Sequence, residues 1–280
     1  MTLFYSILKQ HSRVSQQRYN LYKTVMNINT YDVSLTDGLN MLNVNYRKKI
    51  TTKHKFNLYK YIIRKPENKY IEIADLTTSK RVPHKENTYR FIEKCIEYHE
   101  QCKTKPKLCV KVYSSKMVQP LLDIGVKNIS LYNPLIMKTN VSHDFMYNYS
   151  YNIEIDKTIS KLQSVKDGCL HIYIDCLNEY CNYNYNPTEQ IVRKVVDYYF
   201  TYKDDIHITL VNYSYHLSLQ ELNNLIVSIN RYAGYNIAGS LSFVSNDTSN
   251  VNKGLLQREL MFYKDLTTHI VCEPIIKVIQ

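Results

Sequence analysis

Short apolar runs alternate with longer amphipathic stretches along most of the chain after residue 69. Short runs rich in Val, Ile and Leu are typical of buried strands, and apolar positions three and four apart are typical of helices that cover a sheet. The predicted strands are 70–75, 108–113, 128–132, 170–175, 206–211, 240–245 and 269–271. Strands that alternate with helices favour an α/β fold whose sheet is mostly parallel.

The segments between these strands have helical spacing, and two of them carry start signals. Asn186-Pro187-Thr188-Glu189 places an N-cap Asn before Pro at the first helical position, which predicts a helix to about residue 203. Ser218-Leu219-Gln220-Glu221 is a capping box for the next helix. Further helices are predicted at 87–100, 115–124, about 155–165 and about 254–265, and Asp167-Gly168 is predicted as a turn.

The spacing of elements is similar in two parts of the chain. Both parts read as strand–helix–strand–helix–strand, which predicts a Rossmann-like, mostly parallel sheet made of two similar βαβαβ halves. An old duplication and the regular alternation of strands and helices in α/β proteins explain the similarity equally well. The predicted organisation is a basic N-terminal region 1–68, a first α/β half 69–135, a connection 136–168 and a second α/β half 169–280.

Composition bounds the class of protein. No apolar run reaches the length of about 18 residues that a spanning helix needs, and the first residues lack the basic start of a signal peptide, so we expect no membrane partner. Seven cysteines stand at irregular spacings without a CxxC pair, which favours an intracellular, cytoplasmic protein with reduced thiols. The many tyrosines and few glycines are typical of AT-rich genomes such as those of large DNA viruses.

The net charge of +11 is concentrated in the first part of the chain. Residues 1–116 hold 23 Lys and Arg against 9 Asp and Glu, whereas residues 117–280 hold 13 against 16. The segment 46–65 is the most basic and interleaves cations with Phe56, Tyr59 and Tyr61. Cations beside rings are typical of single-stranded nucleic-acid sites, and a strand pair with a solvated basic face is the alternative. The residues predicted to bind this strand are Arg47, Lys48, Lys49, Lys53, Lys55, Lys60, Arg64 and Tyr59.

Acidic residues follow two strands of the second half. Asp175 ends the strand 170–175, and Asp247 follows the strand 240–245. Because parallel strands bring their carboxyl ends to one edge, the two carboxylates could hold Mg²⁺ or Mn²⁺ and activate water against a phosphodiester. The alternative is ordinary turn chemistry, in which Asp and Asn are common.

Both acidic segments resemble a known family. Ile174-Asp175-Cys176-Leu177-Asn178 resembles the Asp-Gly-x-Asn opening of the NYN branch of PIN-like ribonucleases, the regnase type. Val244-Ser245-Asn246-Asp247-Thr248 resembles the Val-Ser-Asn-Asp-Thr segment that carries a metal-binding acid in that family. The resemblance covers about residues 169–272. It implies a PIN/NYN-like second half that acts as a metal-dependent endoribonuclease.

The resemblance also assigns roles to individual residues. It makes Asp175 and Asp247 metal ligands, and it makes Asn178 the residue that orients the first of them. Cys176 stands where the family has Gly, and only Glu221 lies near the place of the family's further acidic pair. Glu221 would be a third catalytic acid, or else only part of the capping box.

Other chemistries have weaker signals. No GxGxxG and no GxxxxGK[ST] occurs, and the cysteines lack zinc-ligand spacing. His207-Ile208-Thr209-Leu210 fits a two-histidine phosphoesterase motif, but His171-Ile172-Tyr173-Ile174 has Tyr in place of the hydroxyl residue. The sequence therefore predicts a nucleic-acid-binding protein, with RNA as partner and a metal-dependent ribonuclease site. The alternative is a non-catalytic nucleic-acid-binding or structural protein, of viral type, with a degenerate PIN-like fold.

Overall fold

The computed structural model describes residues 29–39, 50–66, 68–76, 85–131, 145–175, 187–202, 205–211, 219–233, 239–242 and 266–270. Each strand in these ranges pairs in parallel with the next, and the last strand pairs in parallel with the first. The sheet therefore closes into a barrel, with the topology of a TIM barrel. The strands are β1 Asn29–Asp32, β2 Asn68–Asp75, β3 Lys107–Val112, β4 Asn128–Leu131, β5 Cys169–Asp175, β6 Ile206–Val211, β7 Gly239–Ser242 and β8 Leu266–Ile270.

The closed barrel confirms the α/β class and the parallel pairing, whereas the prediction of an open Rossmann-like sheet is wrong. An open sheet has two free edges, and here β1 joins β2 on one side and β8 on the other. The sequence pattern missed β1 because Asn29-Thr30-Tyr31-Asp32 is mostly polar. Without β1, nothing joins β2 to β8, so the seven predicted strands indicate an open sheet.

Helices lie between consecutive strands of the barrel. They are α1 Thr52–Ile62, α2 Lys85–Glu100, α3 Val118–Asp123, α4 Phe145–Leu162, α5 Pro187–Tyr202 and α6 Leu219–Ala233. A π-helical turn, Ser34–Gly38, follows β1, and a 3₁₀ turn, Ser115–Met117, precedes α3. The helix start at Pro187 is confirmed. The helix predicted at 254–265 lies outside the described residues.

The basic segment forms a helix, so the alternative of a strand pair at 46–65 is wrong where the structure describes it. Thr51 is the N-cap of α1, and its side-chain oxygen accepts a hydrogen bond from the backbone N–H of His54 at 3.3 Å. The Nδ1 atom of His54 accepts from the backbone N–H of Thr51, also at 3.3 Å, which completes a capping box with His in place of Glu. The helix buries Leu58, Tyr59 and Ile62 against the barrel.

The two faces of the strands have different compositions. Alternate residues of each strand point to opposite faces, and in a barrel these are the helix-covered outside and the enclosed inside. The outward residues form the main hydrophobic core together with helix residues such as Ile92, Leu121 and Ile155. We call the inside the lumen. The lumen residues that the structure describes include Tyr31, Tyr70, Glu72, Cys109, Lys111, Ser130, His171, Tyr173, His207 and Thr209.

Candidate active site

A buried polar network occupies the lumen, and we call it the Glu72 network: Thr36, Glu72, Lys111 and Tyr173. The ammonium nitrogen of Lys111 lies 3.2 Å from Oε1 of Glu72, and their side chains are 6% and 0% exposed. Thr36 donates a hydrogen bond from Oγ1 to Oε1 of Glu72 at 2.6 Å. Tyr173 donates from its hydroxyl to Oε2 of Glu72 at 3.2 Å. Both oxygens of one carboxylate are thus held by donors from three other elements.

Strand alternation places these charges inside the barrel. Glu72 stands between Ile71 and Ile73, whose side chains belong to the outer core. Lys111 stands in the same way between Val110 and Val112. Because neighbours on a strand face opposite sides, apolar flanks directed outward leave the charged residue directed inward.

The network lies towards the carboxyl-terminal ends of the strands. Lys111 pairs in register with Asp75, the last residue of β2, and with Ser130, the last residue but one of β4. Tyr173 stands two positions before the end of β5. Active sites of TIM-barrel enzymes lie at this end of the barrel, so the Glu72 network has the position of an active site.

The π-helical turn after β1 delivers Thr36 to the network. The single hydroxyl proton of Thr36 is shared between Glu72 and the carbonyl oxygen of Val33, which lies 3.2 Å from Oγ1. Oδ1 of Asp32 accepts from the backbone N–H of Ser34 at 2.9 Å. Burial raises the pKa of the Asp32 carboxyl above its ordinary value, although hydrogen bonding from Ser34 opposes the rise. These local bonds hold the turn over the lumen, and Asp37 belongs to the same turn.

A layer of rings shares the lumen with the network, and we call it the ring layer: Tyr31, Tyr70, His171 and His207. The ring centroids of Tyr31 and Tyr70 are 5.3 Å apart, and those of His171 and His207 are 4.7 Å apart. Tyr70 meets His171 edge to face at 4.9 Å. The hydroxyl of Tyr31 is hydrogen-bonded to that of Ser130 at 2.9 Å. These contacts join β1, β2, β4, β5 and β6 across the lumen.

Burial keeps three titratable groups of the lumen, those of His207, Tyr31 and Cys109, neutral at ordinary pH. It lowers the pKa of His207 to about 3, and the nearby charges of Lys69 and Lys107 act in the same direction. Burial also raises the pKa of the Tyr31 hydroxyl and of the Cys109 thiol, whose sulfur lies 3.7 Å from Nε2 of His171. The ring layer is therefore suited to closing the lumen, whereas the Glu72 network carries its charged groups.

Two of the sequence-predicted acids, Asp175 and Glu221, lie within the part of the chain that the structure describes. Asp175 is the last residue of β5, where it pairs in register with Val211. Glu221 lies in the first turn of α6 with an exposed side chain. Asn178 and Asp247 lie outside the described residues.

Several residues of the predicted nucleic-acid surface are buried or engaged in contacts within the protein. Tyr59 is fully buried, and its hydroxyl donates to the carbonyl oxygen of Cys95 at 2.9 Å, so this ring is not available for stacking on a base. Lys60 lies over the ring of Phe56 at 5.3 Å. Arg64 donates to the hydroxyl of Tyr98 at 3.2 Å. Lys53 is exposed, and burial lowers the pKa of Lys55. The other predicted residues, Arg47, Lys48 and Lys49, lie outside the described residues.

The predicted Mg²⁺ or Mn²⁺ site has no counterpart among the described residues. Within those ranges, no group of three or more His, Cys, Asp and Glu side chains is arranged to hold a metal ion. The carboxylate of Glu72 is instead paired with the ammonium of Lys111. Within the described residues the lumen thus holds the ammonium of Lys111 beside the carboxylate of Glu72, and the predicted ligand Asp247 lies outside these residues.

Glu72 and Lys111 are not among the functional residues predicted from the sequence. Both stand inside predicted strands, at Ile71-Glu72-Ile73 and at Val110-Lys111-Val112. The available signal was a charged residue between apolar neighbours in a strand that is buried on both faces. Charged residues are rarely buried unless they are paired, so two such residues on neighbouring strands could have been matched to one another.

Comparison with known proteins gives matches in structure alone. No family model and no curated protein matches the chain. Hydroxymethylglutaryl-CoA lyase of Pseudomonas aeruginosa is similar with a TM-score of 0.62 and 13% identity, over 87% of this chain and 77% of that one. The HMG-CoA lyase of Brucella melitensis gives 0.59 and 15%, over 86% and 80%. The carboxyl transferase domain of Rhizobium etli pyruvate carboxylase, with pyruvate and biocytin, gives 0.59 and 11%, over 89% of this chain and 40% of that one.

These matches correct the family and the function predicted from the sequence. The similar structures are barrels like this one, so the resemblance to PIN/NYN ribonucleases is wrong. The prediction of a nucleic-acid-binding protein is contradicted with it, both as a nuclease and as a non-catalytic viral binder. No helix in the described ranges is long and apolar enough to cross a membrane. At these identities the comparisons establish one thing, that the chain shares the fold of the HMG-CoA lyase barrels.

Proposed function

We propose that this protein is a lyase of aldolase type, which makes or breaks a carbon–carbon bond beside the carbonyl group of a small organic acid or its thioester. The reaction would take place in the lumen, at the carboxyl-terminal ends of the strands. The observation that carries the proposal is the buried ion pair of Glu72 and Lys111, with Thr36 and Tyr173 bonded to the same carboxylate.

A buried ion pair in this place is costly for a purely structural protein. Removing two charges from water costs several kcal/mol per ion, and well-packed apolar residues of similar volume often give equal or better stability. The lumen of a TIM barrel is usually filled by layers of branched apolar side chains. Charged groups that persist there, at the catalytic end, are therefore candidates for function.

The residues of the network match the needs of carbon–carbon cleavage. Such a reaction needs a base to accept a hydroxyl proton and a positive group to stabilise the charge that develops on a carbonyl oxygen. The carboxylate of Glu72 can accept the proton, and the ammonium of Lys111 can stabilise the oxygen in a site from which water is excluded. The hydroxyls of Thr36 and Tyr173 can orient the substrate.

The structural comparisons support the class of substrate. The similar proteins include lyases of hydroxymethylglutaryl-CoA and a carboxyl transferase domain that holds pyruvate. Both compounds contain a carboxylate and a carbonyl group within a few bonds of each other. A small organic acid or acyl thioester is thus the first class to test.

A divalent metal ion is a second component of the proposal. Asp175 is the last residue of β5, at the carboxyl-terminal end of the strand. We propose Asp175 and Asp247 as its ligands, although the described residues do not complete a metal site. A metal would supply Lewis acidity at the carbonyl oxygen. Titration of the protein with Mn²⁺ by electron paramagnetic resonance, with Asp175→Asn beside the wild type, tests the proposed ligand.

The function is tested by incubating the full chain with hydroxymethylglutaryl-CoA, pyruvate and related small 2-oxo and 2-hydroxy acids, with Mg²⁺, with Mn²⁺ and with EDTA. We expect proton NMR to show cleavage or condensation of one of these compounds. Glu72→Gln should lower kcat/KM by about 10²- to 10⁴-fold, as the loss of a general base does. The matched control is Glu93→Gln, because Glu93 is exposed on the outer helix α2. Absence of turnover throughout the panel, or equal loss in both variants, would overturn the proposal.

A further inference from the structure

Lys111 has the surroundings of a reactive amine. Its residue is 5% exposed, and its nitrogen lies 3.2 Å from Oε1 of Glu72 and 5.9 Å from the ring centroid of Tyr173. Lysine is the basic residue that can lose its proton inside a protein, whereas arginine stays charged. A buried lysine that faces a proton acceptor therefore has a chemistry that an ordinary ion pair does not need.

Proton transfer within the pair would produce a free amine. Moving one proton from the Lys111 ammonium to the Glu72 carboxylate turns two buried charges into two neutral groups. Burial disfavours the charged form of both partners. The free-energy difference between the neutral pair and the ionic pair is therefore smaller in the lumen than in water. The neutral amine is the nucleophilic form of lysine.

We propose that Lys111 forms an iminium with a 2-oxo acid, and that Glu72 moves the protons. This inference rests on the proposed function and deepens it: the iminium replaces the ammonium of Lys111 as the positive group that stabilises the developing charge. The nitrogen of Lys111 attacks the carbonyl carbon, which forms the C–N bond and breaks the carbonyl π bond. Glu72 takes protons from the nitrogen and returns them to the oxygen, until the C–O bond breaks and water leaves. Two of the three ammonium protons depart in that water, and the single positive charge stays on nitrogen, so no oxidant or reductant is needed.

The network also indicates why the carbonyl compound should carry a carboxylate. Thr36 and Tyr173 donate hydrogen bonds from two elements to one carboxylate, that of Glu72. A substrate carboxylate bound beside the iminium needs the same kind of donor. The iminium keeps the charge that the ammonium had, so Glu72 remains paired with it. A 2-oxo acid places its carboxylate one bond from the reacting carbon, and that carboxylate would compete with Glu72 for the hydroxyl protons that Glu72 accepts in the free protein.

The test is reductive trapping of the full-length wild-type protein with pyruvate and sodium cyanoborohydride, which reduces iminium ions. Intact mass and peptide mapping then locate the adduct. Lys107 is the matched internal control, because it stands on the same strand but is exposed. We expect one adduct per chain, at Lys111 and not at Lys107. Lys111→Arg should lose the adduct, Lys107→Arg should keep it, and acetone, which lacks the carboxylate, should label far more slowly.

Glu72→Gln separates proton transfer from simple placement of the lysine. It keeps the amine and the shape of the side chain, and trapping should slow by about 10²-fold or more, the range of general acid–base catalysis. Circular dichroism of this variant checks that the barrel is folded. If the ion pair is purely structural, we expect no adduct in the wild type and no slower trapping in Glu72→Gln.

The outcomes separate this inference from the proposed function. Turnover of an organic acid without an adduct at Lys111 leaves the lyase proposal standing and overturns the amine chemistry. An adduct at Lys111 without turnover supports the amine chemistry and overturns only the lyase assignment. Label spread equally over Lys107 and Lys111, or absence of both label and turnover, overturns the inference. The main result comes from the wild type, so it does not depend on the folding of any variant.

Discussion

The two faces of the same strands differ in what they contribute to the molecule. The outward face of β5 presents Leu170, Ile172 and Ile174 to the helices, and all three are buried in the hydrophobic core. The lumen face of the same strand presents His171 and Tyr173, which bond or stack with residues of other strands. One sequence of alternating positions thus builds a core and a polar interior at once.

This contrast shows which face stabilises the barrel and which face is kept for chemistry. Burying one large apolar side chain stabilises a fold by about 1.5–3 kcal/mol, and the outer face does this in every described strand from β2 to β6. A buried polar group stabilises little even when it is bonded, and it costs free energy when it is not. The lumen of this protein is therefore maintained at a cost that the outer core offsets.

The largest expected effect comes from breaking the ion pair of the lumen. Lys111→Met leaves the carboxylate of Glu72 buried without its cation, and it should reduce the free energy of unfolding by about 3–5 kcal/mol. It should also abolish turnover. Urea unfolding followed by circular dichroism measures the first effect.

The double variant Lys111→Met with Glu72→Leu sharpens this result. Apolar residues of similar volume remove both charges, so much of the lost stability should return while the protein stays inactive. A single Lys111→Met variant as stable as the wild type would contradict the view that the lumen holds a tightly coupled pair.

A substitution on the outer face should lower the stability of the protein without lowering the activity of the folded fraction. Ile172→Ala removes a fully buried side chain from the core and should reduce the free energy of unfolding by about 2–5 kcal/mol. The folded fraction should keep its kcat/KM because Ile172 faces away from the lumen. Ile172→Val, with a loss of about 0.5–1.5 kcal/mol, is the graded control. A large fall in kcat/KM for the folded Ile172→Ala protein would show that the two faces are not independent.

The sequence predicted the elements whose outer face is apolar, because periodicity reports burial. The strands β2, β3, β5 and β6 were predicted for this reason, whereas the helix start at Pro187 was predicted from its N-cap residue and its proline. The turn before β5 was also found, and there a Cβ on Gly168 would lie 2.9 Å from the carbonyl oxygen of Leu162.

The sequence could not predict what depends on closure of the sheet. β1 is short and mostly polar, and only its pairing with both β2 and β8 makes it a strand of the barrel. The acids at strand ends suggested a nuclease because every parallel α/β fold places polar residues there. The match at 244–248 and the one around Asp175 were too short to tell one such fold from another.

The smallest expected effect concerns the ring layer and pH. Burial lowers the pKa of His207 to about 3, against an ordinary value of 6.5. Between these values the unfolded chain binds a proton that the folded protein does not, so the free energy of unfolding falls as the pH falls below about 6.5. One such group contributes about 1–2 kcal/mol of lost stability between pH 7 and pH 5.

His207→Asn separates the contribution of His207 to this pH dependence from that of every other group that titrates in the same range. Its side chain keeps hydrogen-bonding capacity and does not titrate, so urea unfolding at pH 7 and pH 5 should give a pH dependence that is weaker than that of the wild type by about 1–2 kcal/mol. The variant will differ in stability at either single pH, because the ring contacts with Tyr70 and His171 are lost. The informative quantity is therefore the difference between the two pH values. An equal pH dependence in both proteins would mean that His207 is accessible to protons in the folded barrel, and the ring layer would not close the lumen as the geometry indicates.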